Sequence, residues 1–122
     1  MKLRSYKELK VWQKAIELAI ATYKVTKNFP KEELYGLTSQ IRRSAFAIPA
    51  NIAEGYSRRH LAEYIQFLRI AFSSGAELET HLLIANKVGL LADKDYETVN
   101  SRLSEVMRML NGLMTKLKKT GI

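Results

Sequence analysis

Apolar residues recur every three or four positions along almost the whole chain, and the few glycines and prolines fall mostly between the recurring runs. That period belongs to the α-helix, and no stretch of strict alternation competes for a β-strand. The first helix is predicted from about Tyr6 to Thr26. Ser5 and Glu8 stand at capping-box spacing before it, and Asn28, Phe29 and Pro30 end it. Its apolar stripe reads Leu9, Trp12, Ile16, Ala19, Ile20 and Tyr23. The second helix is predicted from about Glu32 to Glu54, with Leu34, Leu37, Ile41, Ile48 and Ile52 inward, Pro49 in its interior and Gly55 as its stop.

The third run is long, from about Leu61 to Val88, with Tyr64, Ile65, Leu68, Phe72, Gly75, Leu82 and Leu83 on one face. Gly75 costs helix propensity, and close approach of a neighbouring helix is the reason to tolerate it. Gly89 caps this helix. Asp93 is read as the N-cap of a fourth, about Lys94 to Lys119, whose stripe is Tyr96, Val99, Leu103, Val106, Leu110, Leu113, Met114 and Leu117. Four amphipathic helices on short connections pack with neighbours antiparallel. The predicted fold is therefore all-α, an up-down-up-down four-helix bundle formed by residues 1–122 as one domain. At 122 residues and 47 % hydrophobic content, the chain has the material for one core.

More apolar surface is present than one bundle needs. Val11, Leu18 and Val25 recur every seven residues behind the first stripe. Phe46 and Ala53 point nearly opposite the second, and Phe67, Ile70, His81 and Val88 lie off the third. Lines of apolar residues mark contacts, whereas isolated ones do not. A homo-oligomer accounts for them; irregular packing inside a monomer is the alternative.

The chain has no cysteine, which removes disulfides, thiolate metal sites and cysteine nucleophiles together. This fits a reducing, cytoplasmic setting. No apolar h-region follows the basic N-terminus, so no signal peptide is read there. No uncharged apolar run approaches the roughly 20 residues of a membrane span. The formal net charge is +8 and the isoelectric point about 9.8. A polyanion, either nucleic acid or an anionic membrane, suits that charge, and a protein that is merely basic carries it too.

Catalytic constellations are not legible. His60 and His81 have no metal-pairing residue at helical spacing, so no metal or other cofactor is expected. Ser73 and Ser74 sit in no nucleophile elbow, and no glycine-rich phosphate loop occurs. The chain reads as a non-enzyme. Gln40, Arg43, Asn51 and Glu54, at spacings of 3, 8 and 3, share one side of the second helix; Ser74 and Glu77 are three apart on the third. Polar groups in such surroundings should be paired, Arg43 with Glu54 or Glu77, as a register-fixing network or a ligand site. Basic residues cluster at Lys2 to Lys14, Arg42-Arg43, Arg58-Arg59-His60 and Lys116 to Lys119. Tyr56, Arg58 and Arg59 in the turn after the second helix have the makings of a phosphate clamp with a stacking ring, and Lys7, Lys10 and Lys14 form a second patch.

Four segments together carry a family likeness: Tyr6 to Ala15, Leu37 to Ala45, Ile48-Pro49-Ala50-Asn51-Ile52-Ala53-Glu54-Gly55, and Phe72 to Leu78. In these the chain resembles the four-helix-bundle proteins encoded within intervening sequences of bacterial 23S ribosomal RNA genes. The Asn-Ile-Ala-Glu-Gly stretch, with Gln40 and Arg43 ahead of it, is its most specific part. The resemblance implies a four-helix bundle and a ring-shaped homopentamer, with no established biochemical role. The accessory protein of diversity-generating retroelements, a basic pentamer that works with a reverse transcriptase and nucleic acid, is distantly similar at the level of fold. The function expected is that of a non-enzymatic, oligomeric accessory protein binding nucleic acid, RNA before DNA, with no membrane partner. The alternative is a protein–protein scaffold with incidental charge.

Overall fold

A computed structural model describes residues 4–121. Four helices, α1 (Lys10–Thr26), α2 (Leu37–Tyr56), α3 (Leu61–Lys87) and α4 (Asp93–Gly121), follow one another in an antiparallel bundle. Short 3-10 turns at Tyr6–Glu8 and Lys31–Glu33 precede the first two. The four-helix fold predicted from the periodicity is the fold observed. The core runs its length, with Leu18, Ile41, Ile48, Ile52, Leu68, Leu78, Leu82, Val99, Val106 and Leu110 fully buried.

The chain enters differently from the expected capping box. Ser5 caps a 3-10 turn by accepting from the Lys7 N–H at 3.0 Å, while Glu8 accepts from Arg4 N. The α-helix begins only at Lys10, behind Leu9, which offers no side-chain cap. The second helix likewise starts at Leu37, after a separate turn, and leaves Leu34 largely exposed.

α1 turns the opposite way from expectation. Val11, Ala15, Leu18, Ala19, Thr22 and Thr26 are its buried residues, whereas Ile20 and Tyr23 are exposed. The cause is chemical. Thr22 and Thr26 look polar in the sequence, but their hydroxyls donate back to the Leu18 and Thr22 carbonyls at 2.8 and 3.1 Å, so they enter the core satisfied. The small Ala15, Ala19 and threonine side chains also admit neighbouring helices. The bulkier face stays outside. On α3 the inward set is Ile65, Leu68, Ala71, Gly75, Leu78, Leu82 and Ala85, and Leu83 is exposed.

Two glycines mark close approaches. A Cβ on Gly75 would run into the Met107 side chain of α4, as the sequence reading required. Gly55 is not a helix stop. It is buried inside α2, where a Cβ would stand 2.7 Å from Phe67 Cβ and 3.1 Å from the Tyr64 carbonyl oxygen. Gly89 is the true cap: at φ 87° it lets Leu90 N donate to the Ala85 carbonyl. Asp93 is the first residue of α4, and its carboxylate accepts from Asn86 Nδ2 at 2.7 Å.

Candidate nucleic-acid interface

Antiparallel packing decides which basic clusters meet. The start of α1, the α2–α3 turn and the C-terminus of α4 share one end of the bundle. Lys7 and Lys10, Arg58 and Arg59, and Lys116, Lys118 and Lys119, which are remote in sequence, therefore lie at the same end, all of them exposed. Lys2 lies outside the described residues. Lys14 is half-buried one turn into α1.

Local structure favours an anion there. Lys10 opens α1, where a cation opposes the helix dipole, and the first turn of α1 holds no acidic residue. Uncapped N–H groups and a lysine at one helix start are a stability cost within the chain, and an anion relieves it. Few of the cations are neutralised. Among the described residues, only Lys14, Arg58 and Arg102 have a carboxylate within 4.0 Å.

The predicted clamp is only partly open. Arg58 donates to Glu54 Oε2 at 2.8 Å, one turn back, and its guanidinium carbon lies 4.8 Å above the Phe67 ring. An exposed pair of this kind contributes at most about 1 kcal/mol and exchanges readily for phosphate. Tyr56 is half-buried and meets Tyr64 edge-on at 5.7 Å between centroids. Burial, with Tyr56 beside it, pushes the Tyr64 hydroxyl pKa up to about 12. Arg59 is exposed and, among the described residues, has no carboxylate within 4.0 Å.

The expected polar network is not assembled within one chain. Gln40, Arg43, Glu54 and Glu77 are exposed, and Asn51 and Ser74 half-buried. Asn51 Nδ2 donates to the Ala47 carbonyl at 2.8 Å, Glu54 is taken by Arg58, and no hydrogen bond or ion pair joins any two of the six. The reason is angular: the Ile41–Ile48–Ile52 stripe of α2 faces the core between its neighbours α1 and α3, and the exposed polar positions sit on the arc beyond it. No three acidic or histidine side chains are grouped as metal ligands among the described residues, and no helix there is long and apolar enough to cross a membrane.

A second feature escaped the sequence reading in part. By helical periodicity Phe46 points outward, whereas Trp12, Ile16, Ile20 and Tyr23 belong to the inward stripe. Tyr23 and Phe46 stack at 6.4 Å between centroids, and with Trp12, Ile16, Ile20 and Pro49 they line two adjoining recesses of about 390 Å³ each along the outer α1–α2 seam. Threonine's capacity to satisfy itself inside a helix was the missing signal.

A cationic four-helix bundle with an open apolar seam is what fold and surface define. The chain belongs to the 23S rRNA-intervening sequence protein family, whose profile matches residues 7–112. A crystal structure of a protein of unknown function from the S23 ribosomal protein family of Bacteroides thetaiotaomicron is similar, at 27 % identity and a TM-score of 0.77, over 85 % of this chain and 97 % of that one. No protein of curated function matches.

Proposed function

We propose that this protein is a non-enzymatic, self-associating accessory protein that binds nucleic acid, RNA before DNA, through the basic end of its bundle. One observation carries the reading: the fold gathers three sequence-distant basic clusters on one end, and most of their charges have no carboxylate partner among the described residues. Phosphate contacts add, and each releases counterions, so even weak sites sum to a strongly salt-dependent affinity. The absence of a recognition-helix or RNA-motif signature in the sequence argues for little sequence preference.

Self-association is supported by two separate apolar surfaces. One is the α1–α2 seam around Ile20, Tyr23 and Phe46; the other comprises Ile70, Ile84 and Val88 on α3. Unlike patches that pair head to tail close into a ring when the rotation allows it, which accords with the pentamer the family likeness implies. A ring would multiply the basic end around an axis. The outer polar residues Gln40, Arg43, Ser74 and Glu77 would then find partners between copies.

Fluorescence anisotropy with a structured RNA and a single strand, at several salt concentrations, tests the binding. Affinity for both should fall steeply as salt rises. A folded protein that binds neither at low salt contradicts the proposal and leaves a protein–protein scaffold built on the apolar seam.

A further inference from the structure

At the other end of the bundle, the elbow between α1 and α2 holds a polar group with nothing to bind. Thr38, in the first turn of α2, is only 3 % exposed, and its hydroxyl has no hydrogen-bond partner. The other buried hydroxyls, of Thr22, Thr26 and Ser44, all donate to a carbonyl four residues back. Thr38 has no such helical carbonyl, because α2 begins at Leu37 and residue 34 lies in the connection. A buried hydroxyl left unpaired is costly, so its persistence asks for a ligand.

The surroundings state the ligand's charge. Thr38 lines two recesses, one of about 190 Å³ facing Lys27 and Lys31, the other facing Ser39 and Arg43, and Arg42 lines both. Neither lining contains a carboxylate. Arg42 is held in place: its Nε donates to Thr26 Oγ1 at 2.9 Å, and its guanidinium carbon lies 4.2 Å over the Tyr23 ring. Its two terminal nitrogens have no acceptor within the described chain. Beside them begins a 20-residue helix whose N-cap is Gly36, with no side-chain cap. The first intrahelical bond runs from Gln40 N to the Gly36 carbonyl, so the N–H groups of Leu37, Thr38 and Ser39 are free of helical partners.

We propose that this elbow is a phosphate-binding site, taking either a free phosphate or one phosphate of a nucleic-acid backbone. Arg42 supplies a fixed fork, Thr38 a buried donor, Lys27 and Lys31 diffuse charge, and the α2 start a favourable dipole. The site does not depend on the basic end described above. Glu33, whose Oε1 would stand 3.8 Å from a Cβ on Gly36, lines neither recess.

Inorganic phosphate, added to the 122-residue chain in place of chloride at constant ionic strength, tests this directly. The amide resonances of Leu37 to Ser39 and the Arg42 Nε resonance should shift saturably. Thr38→Val keeps the shape and removes the unpaired hydroxyl, so its melting temperature in chloride should equal or exceed that of the parent. Its phosphate affinity should fall about tenfold or more, the worth of a hydrogen bond to a charged group. Lys31→Ala, on the surface, should weaken phosphate without touching the fold and serves if the Thr38 variant is compromised. No saturable shift, or one unchanged in both variants, overturns the proposal. A single-stranded RNA added in a second arm separates the sources. Shifts of the same amides, competed by phosphate, identify a backbone phosphate; RNA binding that leaves them unmoved identifies a free anion. RNA that binds while phosphate never moves these amides overturns the elbow site and leaves the basic end standing.

Discussion

The inner and outer faces of the α1–α2 pair are built from the same kinds of residue and do different things. Inside, Leu18, Ile41, Ile48 and Ile52 are fully buried under α3 and α4. Outside, Ile20, Tyr23 and Phe46 are 52, 43 and 44 % exposed, although Tyr23 stacks on Phe46 and Arg42 and Lys24 flank them. Hydrophobicity by itself does not separate the two. What separates them is which face offers small or self-satisfied side chains for a neighbouring helix to approach, and α1 offers alanine and threonine. The inner face stabilises the fold; the outer one is available for association.

The comparison breaks most visibly in the core. Ile48→Ala removes a fully buried side chain from the core face of α2, and should cost about 2–5 kcal/mol in denaturant unfolding. An effect under about 1 kcal/mol would mean the inner face is not closed. Next comes Gly55→Ala. Its new methyl meets Phe67 Cβ and the Tyr64 carbonyl, neither of which can swing away, so a cost of about 1–3 kcal/mol is expected. Gly75→Ala meets the flexible end of Met107 and should cost less.

Phe46→Ser, two residues before Ile48 but on the outer face, sharpens the contrast. It should change the intrinsic stability of one chain by under about 1 kcal/mol. Light scattering should nevertheless move from a multiple of the 14.0 kDa chain towards a single one, and the dependence of melting temperature on protein concentration should vanish. Unchanged mass would place the association elsewhere. Arg43→Met and Arg43→Ala should behave alike in a dissociated chain, since Arg43 is exposed there, and differ only where assembly buries it.

The smallest effect is alkaline. Tyr64 holds its proton to about 12 in the fold, above the ordinary tyrosine value near 10. A raised folded pKa gives stability that is complete below pH 10 and declines as pH rises from 10 to 12. Tyr64→Phe should lose the tyrosine part of that decline, read as a shallower fall of melting temperature across the interval. An identical slope in both proteins would place Tyr64 in water.

Much of the fold was legible because periodicity reports the helix, and Gly75, Gly89 and the α4 stripe mean in the structure what they mean in the sequence. The facing of α1 was not, since Thr22 and Thr26 read as polar until their carbonyl partners are seen. Gly55 read as a terminator because its contact with Phe67 crosses between helices. For the surface, each basic cluster was visible alone, but their convergence is a property of antiparallel topology. The pairing of Arg43 with Glu54 or Glu77 was drawn from shared helix faces, and faces do not reveal which arc a third helix leaves uncovered. The unsatisfied hydroxyl of Thr38 depends on where α2 starts, about five residues later than spacing suggests.

In the proposed function, position rather than net charge makes the basic end a nucleic-acid surface. Two double variants with the same charge change separate these: Lys10→Glu with Arg59→Glu at the basic end, and Lys87→Glu with Lys94→Glu at the far end. Anisotropy titrations of single-stranded RNA across a salt series give the slope of log affinity against log salt. The first pair should weaken binding and flatten the slope by roughly 1.4, two phosphate contacts' worth, while the second should leave the slope nearly as it was. Equal loss in both variants would contradict the proposed function.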